Sequence, residues 1–362
     1  MGQWECSLEN MEINLKFWQN RSVFLSGHTG FKGGWLALWL TDMGAKVHGY
    51  SLGTKSNPSF FKETKLKEKL ASSTIDDIQN LSALKSSMTF ANPSLIIHMA
   101  AQSLVLESYN NPVETFRTNI IGTANILEAA RKINTVEAIV NITSDKCYEN
   151  KEQLEPYLEN DKLGGHDPYS SSKACAELIS NAYRNSFLNE CGIKIATVRA
   201  GNVIGGGDWA PNRLIPDLLR SIDSGKKLFI RSPNSVRPWQ HVLEPLSGYL
   251  LLAEKLLTEG NNYGEAWNFG PQENSSKSVS WVIDYLAQKI PNLQWDIDKN
   301  IYPHEANLLL LDSSKARIGL NWKPKWSLET ALDKIVEWHI AWKEKKSMFD
   351  ISISQIKSYI YS

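Results

Sequence analysis

The chain has 362 residues, 42% of them hydrophobic and 22% charged, close to the average for soluble globular proteins, which disfavours global disorder, collagen-like and coiled-coil architectures. Lysine plus arginine (39) balances aspartate plus glutamate (39). That balance argues against nucleic acid or an anionic membrane as partner and leaves room for a local anion pocket.

Residues 1–20 are mixed polar and acidic, with no basic start, apolar run or small-residue cleavage site, so no secretory signal is expected. The myristoylation-like start at Gly2 fails at Cys6, where Ser or Thr is needed. No stretch approaches the roughly 20 apolar residues that span a bilayer, and the expectation is a soluble, cytoplasmic protein. From Arg21, the apolar run Val23, Phe24, Leu25 meets a glycine cluster. Trp35, Leu36, Leu38, Trp39 and Leu40 then recur at helical spacing up to Gly44, which reads as strand, tight turn and helix. A second strand follows at 46–51, and the runs 95–99, 136–143 and 193–199 read as buried parallel strands. Between them, 112–132, with proline near its start, and 170–187, rich in alanine and long side chains, read as helices. This alternation predicts an α/β protein with a doubly wound parallel sheet over about the first 200 residues.

After Arg199 the rhythm breaks at Gly205, Gly206 and Gly207 and at Pro211, Pro216, Pro233 and Pro238, while Leu328, Leu332, Ile335 and Val336 mark a late amphipathic helix. A smaller, irregular second domain capping the first is expected. Of the thirteen tryptophans, Trp322, Trp326 and Trp338 are assigned to core packing. The four cysteines, Cys6, Cys147, Cys175 and Cys191, form no C-x-x-C pair and no metal-like spacing with histidine. They read as buried or incidental thiols of a reducing compartment, with no metal.

Gly27, Gly30 and Gly33 form G-x-x-G-x-x-G directly after a strand and at the opening of a helix. The first glycine permits the turn, the second lets backbone approach a pyrophosphate, and the third lets helix pack on strand. Helix N-terminal amides then face the phosphate charge. The alternative is an ordinary glycine turn. An acidic residue about 20 positions on, which would bind a ribose hydroxyl, is missing: nothing after Tyr50 and Ser51 supplies one before Glu63. The choice between NAD and NADP is therefore open at this point. Asp77 is placed to bond an adenine amine, or is simply a solvated loop carboxylate.

Tyr169 and Lys173 stand four apart at the start of a helix, so both lie on one face. A phenol of pKa about 10 is a poor base at neutral pH, and a neighbouring ammonium favours its phenolate. The pair is a compact device for removing a hydroxyl proton. One strand earlier, Thr143-Ser144-Asp145-Lys146 places Ser144 within reach of the same substrate hydroxyl. The alternative is a polar cluster at a helix N-terminus.

These segments, with His98-Met99-Ala100-Ala101-Gln102, Arg199-Ala200-Gly201-Asn202 through Trp209, and Arg237-Pro238-Trp239-Gln240-His241-Val242, resemble the extended short-chain dehydrogenase/reductase family, and within it the nucleotide-sugar 4,6-dehydratases. The likeness runs from near residue 18 to about 345. It implies a Rossmann-type doubly wound sheet over 18–200, with 239–271 returning to it. A smaller mixed α/β C-terminal substrate domain, 201–238 with 272–350, would hold a sugar nucleotide. It also implies a homodimer built through 112–132 and 170–187.

The resemblance further implies NAD retained through turnover, held by Gly27, Thr29, Gly30, Phe31 and Gly33, by Asp77 and Ile78, by Ala100, Ala101 and Gln102, and by Tyr169 and Lys173. Tyr169 would accept the C4 hydroxyl proton, Lys173 would lower its pKa and bind the nicotinamide ribose, and Ser144 would steady O4. Asp145 would protonate the departing C6 hydroxyl. The next residue removes the C5 proton; in the members acting on dTDP-glucose it is glutamate, whereas here it is Lys146. That Asp145-Lys146 pair points to the branch acting on CDP-glucose. A lysine base must be neutral, so burial or nearby positive charge would have to lower its pKa; stabilising an enolate is its other possible role. Arg237, with Arg213 as second candidate, would bind the diphosphate; Asn202 would bond phosphate or sugar, and His304 would lie near the nucleotide. His28 and Lys32 are within reach of cofactor phosphate. The competing readings are a dehydratase of another nucleotide sugar, a nucleotide-sugar 4-epimerase, which needs no C5 acid and base, and a non-catalytic dinucleotide sensor, which typically lacks the tyrosine or lysine.

Overall fold

The computed structural model describes residues 13–271, 275–290, 293–300 and 308–362. Seven strands form the main sheet: β1 (Ser22–Ser26), β2 (Lys46–Ser51), β3 (Ser72–Ile75), β4 (Leu95–His98), β5 (Ala138–Ile142), β6 (Lys194–Arg199) and β7 (Ala266–Asn268), in spatial order 7-6-5-4-1-2-3. Every pairing is parallel. The order reverses between β1 and β4, whose register sets Ser26 beside His98. In an open α/β sheet the crevice beyond such a reversal is where ligands bind.

Successive side chains of a strand point to opposite faces, and the core divides accordingly. Val23, Leu25, Leu95, Ile97, Val140 and Ile142 enter one cluster, whereas Phe24, Ile96, Ile139 and Ile195 enter the other. Both faces are covered, which is why the strands read as unbroken apolar runs. Helices α1 (Phe31–Asp42), α2 (Leu81–Ala91), α3 (Gly122–Ala130), α4 (Pro168–Tyr183), α5 (Leu214–Ser224), α6 (Leu243–Glu259), α7 (Val279–Lys289), α8 (Leu328–Lys343) and α9 (Met348–Ile360) complete the frame. Trp35 to Leu40 of α1 and Leu246 to Leu256 of α6 cover the first face; Leu84 and Met88 of α2 and Ile126 and Leu127 of α3 cover the second.

The helix expected over 112–132 is a run of Pro112–Phe116, a wide turn at Arg117–Ile121, and α3. That expected over 170–187 begins earlier, at Pro168, because Asp167 caps it: Oδ1 accepts the Ser170 amide at 2.9 Å and Oδ2 the Ser170 hydroxyl at 2.6 Å. Past β6, short ribbons (Val203–Ile204 with Gln240–His241, Leu228–Ile230 with Trp295–Ile297, Val236–Pro238 with Ser276–Ser278) surround a separate apolar cluster. Ile215 and Leu218 of α5, Val282 and Leu286 of α7 and Leu328, Leu332 and Ile335 of α8 build that cluster. Helix α8 then continues into the main core through Trp338 and Ala341. Trp322, Trp326 and Trp338 are all buried, as expected. Among the described residues no helix is long and apolar enough to cross a membrane.

Candidate active site

The glycine loop is shaped by close approach. Gly27 has φ +82°, and a Cβ there would lie 2.8 Å from the Ala100 nitrogen; a Cβ on Gly33 would lie 2.1 Å from the Gly27 carbonyl oxygen. Gly30 precedes α1, and no side chain caps its first turn, leaving a helix N-terminus suited to an anion. Thr29 donates to the Leu52 carbonyl at 2.7 Å and bonds the Ser51 hydroxyl at 2.8 Å, tying the loop to the end of β2. Half-buried Phe31 packs against Gly205, where an added Cβ would meet its ring at 3.0 Å. His28 is buried, bonds Ser73 Oγ at 2.8 Å and is held neutral by burial, its pKa lowered to about 4 against the opposing influence of the Tyr50 backbone.

Around the crevice, Ser26 Oγ accepts the Met99 and Ala100 amides at 3.0 and 3.1 Å and bonds His98 Nδ1 at 2.7 Å. The Gln102 amide donates to Asn119 Oδ1 at 2.9 Å, which places Ala100, Ala101 and Gln102 along the crevice wall. On the opposite side the Asp77 carbonyl accepts the Tyr50 hydroxyl at 2.9 Å, and Ile78 is buried with its carbonyl accepting Asn125 Nδ2 at 3.1 Å.

Beyond β5, Ser144, Asp145 and Tyr169 are 5%, 4% and 7% exposed, so their polar atoms answer to each other. Ser144 Oγ donates to Asp145 Oδ1 at 2.9 Å. Tyr169 is pushed up to about 12 by burial, opposed by the neighbouring Ser144; the Asp145 carboxylate adds to the rise and the Arg213 guanidinium works against it. The lowering expected from Lys173 is not what this arrangement gives. Burial instead lowers Lys173 to about 8, against the pull of Glu177 one turn on, and its ammonium donates to the Ile142 carbonyl at 3.1 Å. Lys146 sits on the same turn as Asp145, half-buried, its amide donating to Ser144 Oγ at 3.2 Å.

Three supporting contacts escaped the sequence reading, which placed Lys32 only within reach of cofactor phosphate. Glu177 and Arg199 form a buried bidentate pair, 2.9 Å at each contact, and Glu177 also accepts the Thr143 and Thr197 hydroxyls at 2.5 and 2.7 Å. Gly201 lies against Asp145: a Cβ there would be 1.9 Å from Oδ2. Lys32 donates to the buried Tyr249 hydroxyl at 2.8 Å, and its pKa falls to about 7 through burial and the charges of Lys173 and Arg213, opposed by Asp145. Lys32 therefore belongs electrostatically with this cluster. No local spacing joins Lys32 to Tyr249 on α6, or Asp145 to Gly201.

The described substrate candidates, Asn202, Arg213 and Arg237, all lie past β6 in the chain. Arg213, at the start of α5, pairs with Asp208 at 2.9 Å and donates to Ser103 Oγ at 3.1 Å, bridging the lobes. Asn202, half-buried, has φ +36° and offers its carbonyl to the Gln240 amide at 3.3 Å. Arg237 is half-buried in the ribbon opposite Lys277. His304 lies outside the described residues. Among the described residues no group of His, Cys, Asp or Glu is placed to hold a metal ion.

Comparison with known proteins agrees with this geometry. The family model described as GDP-mannose 4,6 dehydratase matches residues 24–335. A CDP-glucose 4,6-dehydratase of Salmonella typhimurium is 48% identical over 96% of this chain and 98% of its own length. The dTDP-glucose 4,6-dehydratase 1 of Escherichia coli is 26% identical over 69% of this chain and 73% of its own. Among solved structures, the epimerase Mth375 of Methanothermobacter thermautotrophicus superposes with a TM-score of 0.77 at 22% identity, covering 91% of this chain and 96% of its own. A Bacillus anthracis dTDP-glucose 4,6-dehydratase in complex with NAD gives 0.74 at 21%, covering 91% of this chain and 99% of its own. At these identities the structural likenesses establish the fold alone, a Rossmann-like parallel sheet flanked by helices.

Proposed function

Since the chain belongs to the GDP-mannose 4,6 dehydratase family, we propose that it carries out the NAD-dependent 4,6-dehydration of CDP-glucose to CDP-4-dehydro-6-deoxy-glucose. The observation that carries this reading is the buried Tyr169, Ser144, Asp145 cluster at the carboxyl end of the sheet, in a chain nearly half identical over its length to a CDP-glucose 4,6-dehydratase. The glycine cradle and the uncapped start of α1 fit a dinucleotide pyrophosphate. Gly27, Thr29, Gly30, Phe31 and Gly33 would hold the phosphates, Asp77 and Ile78 the adenine side, and Ala100, Ala101, Gln102, Tyr169 and Lys173 the nicotinamide half. When bound, NAD supplies the hydride acceptor for C4 and returns that hydride to C6.

The chain's own groups move the protons. Tyr169 takes the O4 proton, with Lys173 supplying positive charge beside the phenolate. Asp145 protonates O6 as the C6–O bond breaks. Lys146 removes the C5 proton and later returns it; this role rests on its place next to Asp145. Asn202, Arg213, Arg237 and His304 would hold the sugar nucleotide, in a substrate lobe of 201–238 with 272–350 set against a cofactor lobe of 18–200 with 239–271. The working form is a homodimer: Val113, Ile121, Leu178 and Phe187, on the helical segments expected to pair, are 60%, 51%, 58% and 42% exposed, and light scattering of Leu178→Asp checks this by a fall to monomer mass. The free Cys147, Cys175 and Cys191 fit a reducing cytoplasm.

Mass spectrometry after incubation with NAD and CDP-, dTDP-, GDP- and UDP-hexoses in parallel tests the assignment. Loss of one water from CDP-glucose alone is expected. Loss from another nucleotide sugar keeps the chemistry and overturns the substrate, and an isomer of unchanged mass makes the protein an epimerase. If Lys146→Met leaves solvent-deuterium exchange at C5 unchanged, Lys146 is not the base.

A further inference from the structure

A dinucleotide presents its adenine ribose at the end of the second strand, where a carboxylate about 20 residues past the glycine loop ordinarily accepts the 2′-hydroxyl. In this chain that place is taken by Ser51, the last residue of β2, and no carboxylate follows it before Glu63. The glycine loop is fastened over this strand end. The Gly27 amide donates to the Tyr50 carbonyl at 2.9 Å, and Thr29 Oγ1 donates to the Leu52 carbonyl at 2.7 Å and bonds Ser51 Oγ at 2.8 Å. A threonine hydroxyl has one hydrogen and two acceptor positions. The Leu52 carbonyl can only accept, so the Thr29 hydrogen is committed there, and the bond between the two hydroxyls must be one in which Ser51 donates. Ser51 thereby commits its own hydrogen to Thr29, and its oxygen is left with acceptor positions only. Thr29 is 7% exposed, while half-buried Ser51 keeps part of its surface open.

We propose that Ser51, its polarity set by Thr29, takes the place of the missing carboxylate: Ser51 Oγ accepts the 2′-hydroxyl of the adenine ribose and so selects NAD over NADP. A hydroxyl has a hydrogen to give such an acceptor. A 2′-phosphate brings oxygens that accept, and Ser51 has no hydrogen left for them. The selection also has a ceiling that a carboxylate would not impose. Serine carries no charge, and the charged residues between it and Glu63 are Lys55 and Lys62, so NADP is disfavoured by an unmet hydrogen bond and not by like-charge repulsion. The preference is therefore about tenfold, the scale of one neutral hydrogen bond.

This role rests on the dinucleotide reading and is tested by binding, which needs no turnover. Dissociation constants are measured by calorimetric titration of NAD, NADP and NAD lacking the adenosine 2′-hydroxyl into the wild type, Ser51→Ala, Thr29→Val and Thr29→Ser. The wild type is expected to bind NAD about tenfold more tightly than either analogue. Ser51→Ala should weaken NAD to the level of the 2′-deoxy compound and leave that compound unchanged. Thr29→Val, which removes the acceptor of the Ser51 hydrogen, frees it for a phosphate and should narrow the gap between NAD and NADP several-fold; Thr29→Ser should keep the wild-type gap. Equal wild-type affinity for NAD and its 2′-deoxy form overturns the proposal, as does a gap that survives Ser51→Ala, which would give the hydroxyl to another acceptor such as Asp77. A gap between NAD and NADP that keeps its full width in Thr29→Val overturns the polarity on which the selection depends. Should Ser51→Ala fail to fold, Ser51→Cys, whose sulfur is a weak acceptor, takes its place. A wild type that binds none of the three removes the dinucleotide reading and the role of Ser51 together. The expected pattern in a protein that dehydrates no sugar leaves that role standing and overturns only the dehydratase reading.

Discussion

Burial decides the charge on the lysine beside the base. Lys173 is lowered to about 8 by desolvation, against the pull of Glu177, so its ammonium is lost as pH rises through that value. Activity that needs positive charge beside a phenolate is expected to fall on the alkaline side of about 8, and Lys173→Met to lose this limb along with roughly 10²- to 10⁴-fold of rate. A pH–rate profile of both proteins checks it, and an unchanged alkaline limb in the variant would assign that limb elsewhere. At this scale the sequence was a good guide to groups joined by local spacing: Gly27, Gly30 and Gly33, the Tyr169 and Lys173 pair, and Ser144 with Asp145. It was blind to Lys32 with Tyr249 and to Gly201 with Asp145, because those contacts join distant segments and leave no periodic trace.

Among the elements, the buried strands were legible as apolar runs and β3 was not. Its residues, Ser72-Ser73-Thr74-Ile75, are polar or exposed because it forms the sheet's edge, where one flank of backbone has no neighbour and the side chains need not be buried. Nor could β7, three residues long, announce itself. The way the C-terminal elements attach was equally hidden: Glu244 on α6 accepts the Trp326 and Lys325 amides at 2.7 and 3.0 Å and the Tyr359 hydroxyl of α9 at 2.7 Å. Burial raises Glu244 to about 7, opposed by the Tyr359 hydroxyl and the two amides. The folded protein therefore holds more protons than the unfolded chain between the ordinary glutamate pKa and about 7. That contribution to stability is full below the window and is lost as pH rises through it, up to about 3 kcal/mol. Thermal melts are expected to show stability declining from pH 5 to 7.5, with a shallower decline in Glu244→Gln. An identical slope would assign the effect to other groups such as Glu254, also raised to about 7 by burial.

At the scale of the molecule, the sheet order reverses between β1 and β4, and beyond β4 Arg213 links Asp208 to Ser103. A ligand there binds the folded state alone, so NAD is expected to stabilise by about 2.7 kcal/mol at a hundred times its Kd. Gly27→Ala, which sets a methyl against the Ala100 backbone, should abolish the rise in Tm, and a full NAD-induced rise in that variant would place the dinucleotide elsewhere.

The seventh strand has a consequence for how the protein is made. β7 pairs with β6 in register, Thr197 opposite Ala266 and Arg199 opposite Asn268, yet the ribosome delivers it only after a stretch of more than sixty residues that follows β6. Until residue 268 emerges, the nascent sheet carries an open flank at β6, the kind of edge that recruits other chains. A message cut short before that point would yield aggregate in place of a working nucleotide-binding half, so damage late in the gene would be felt in the part of the protein encoded first.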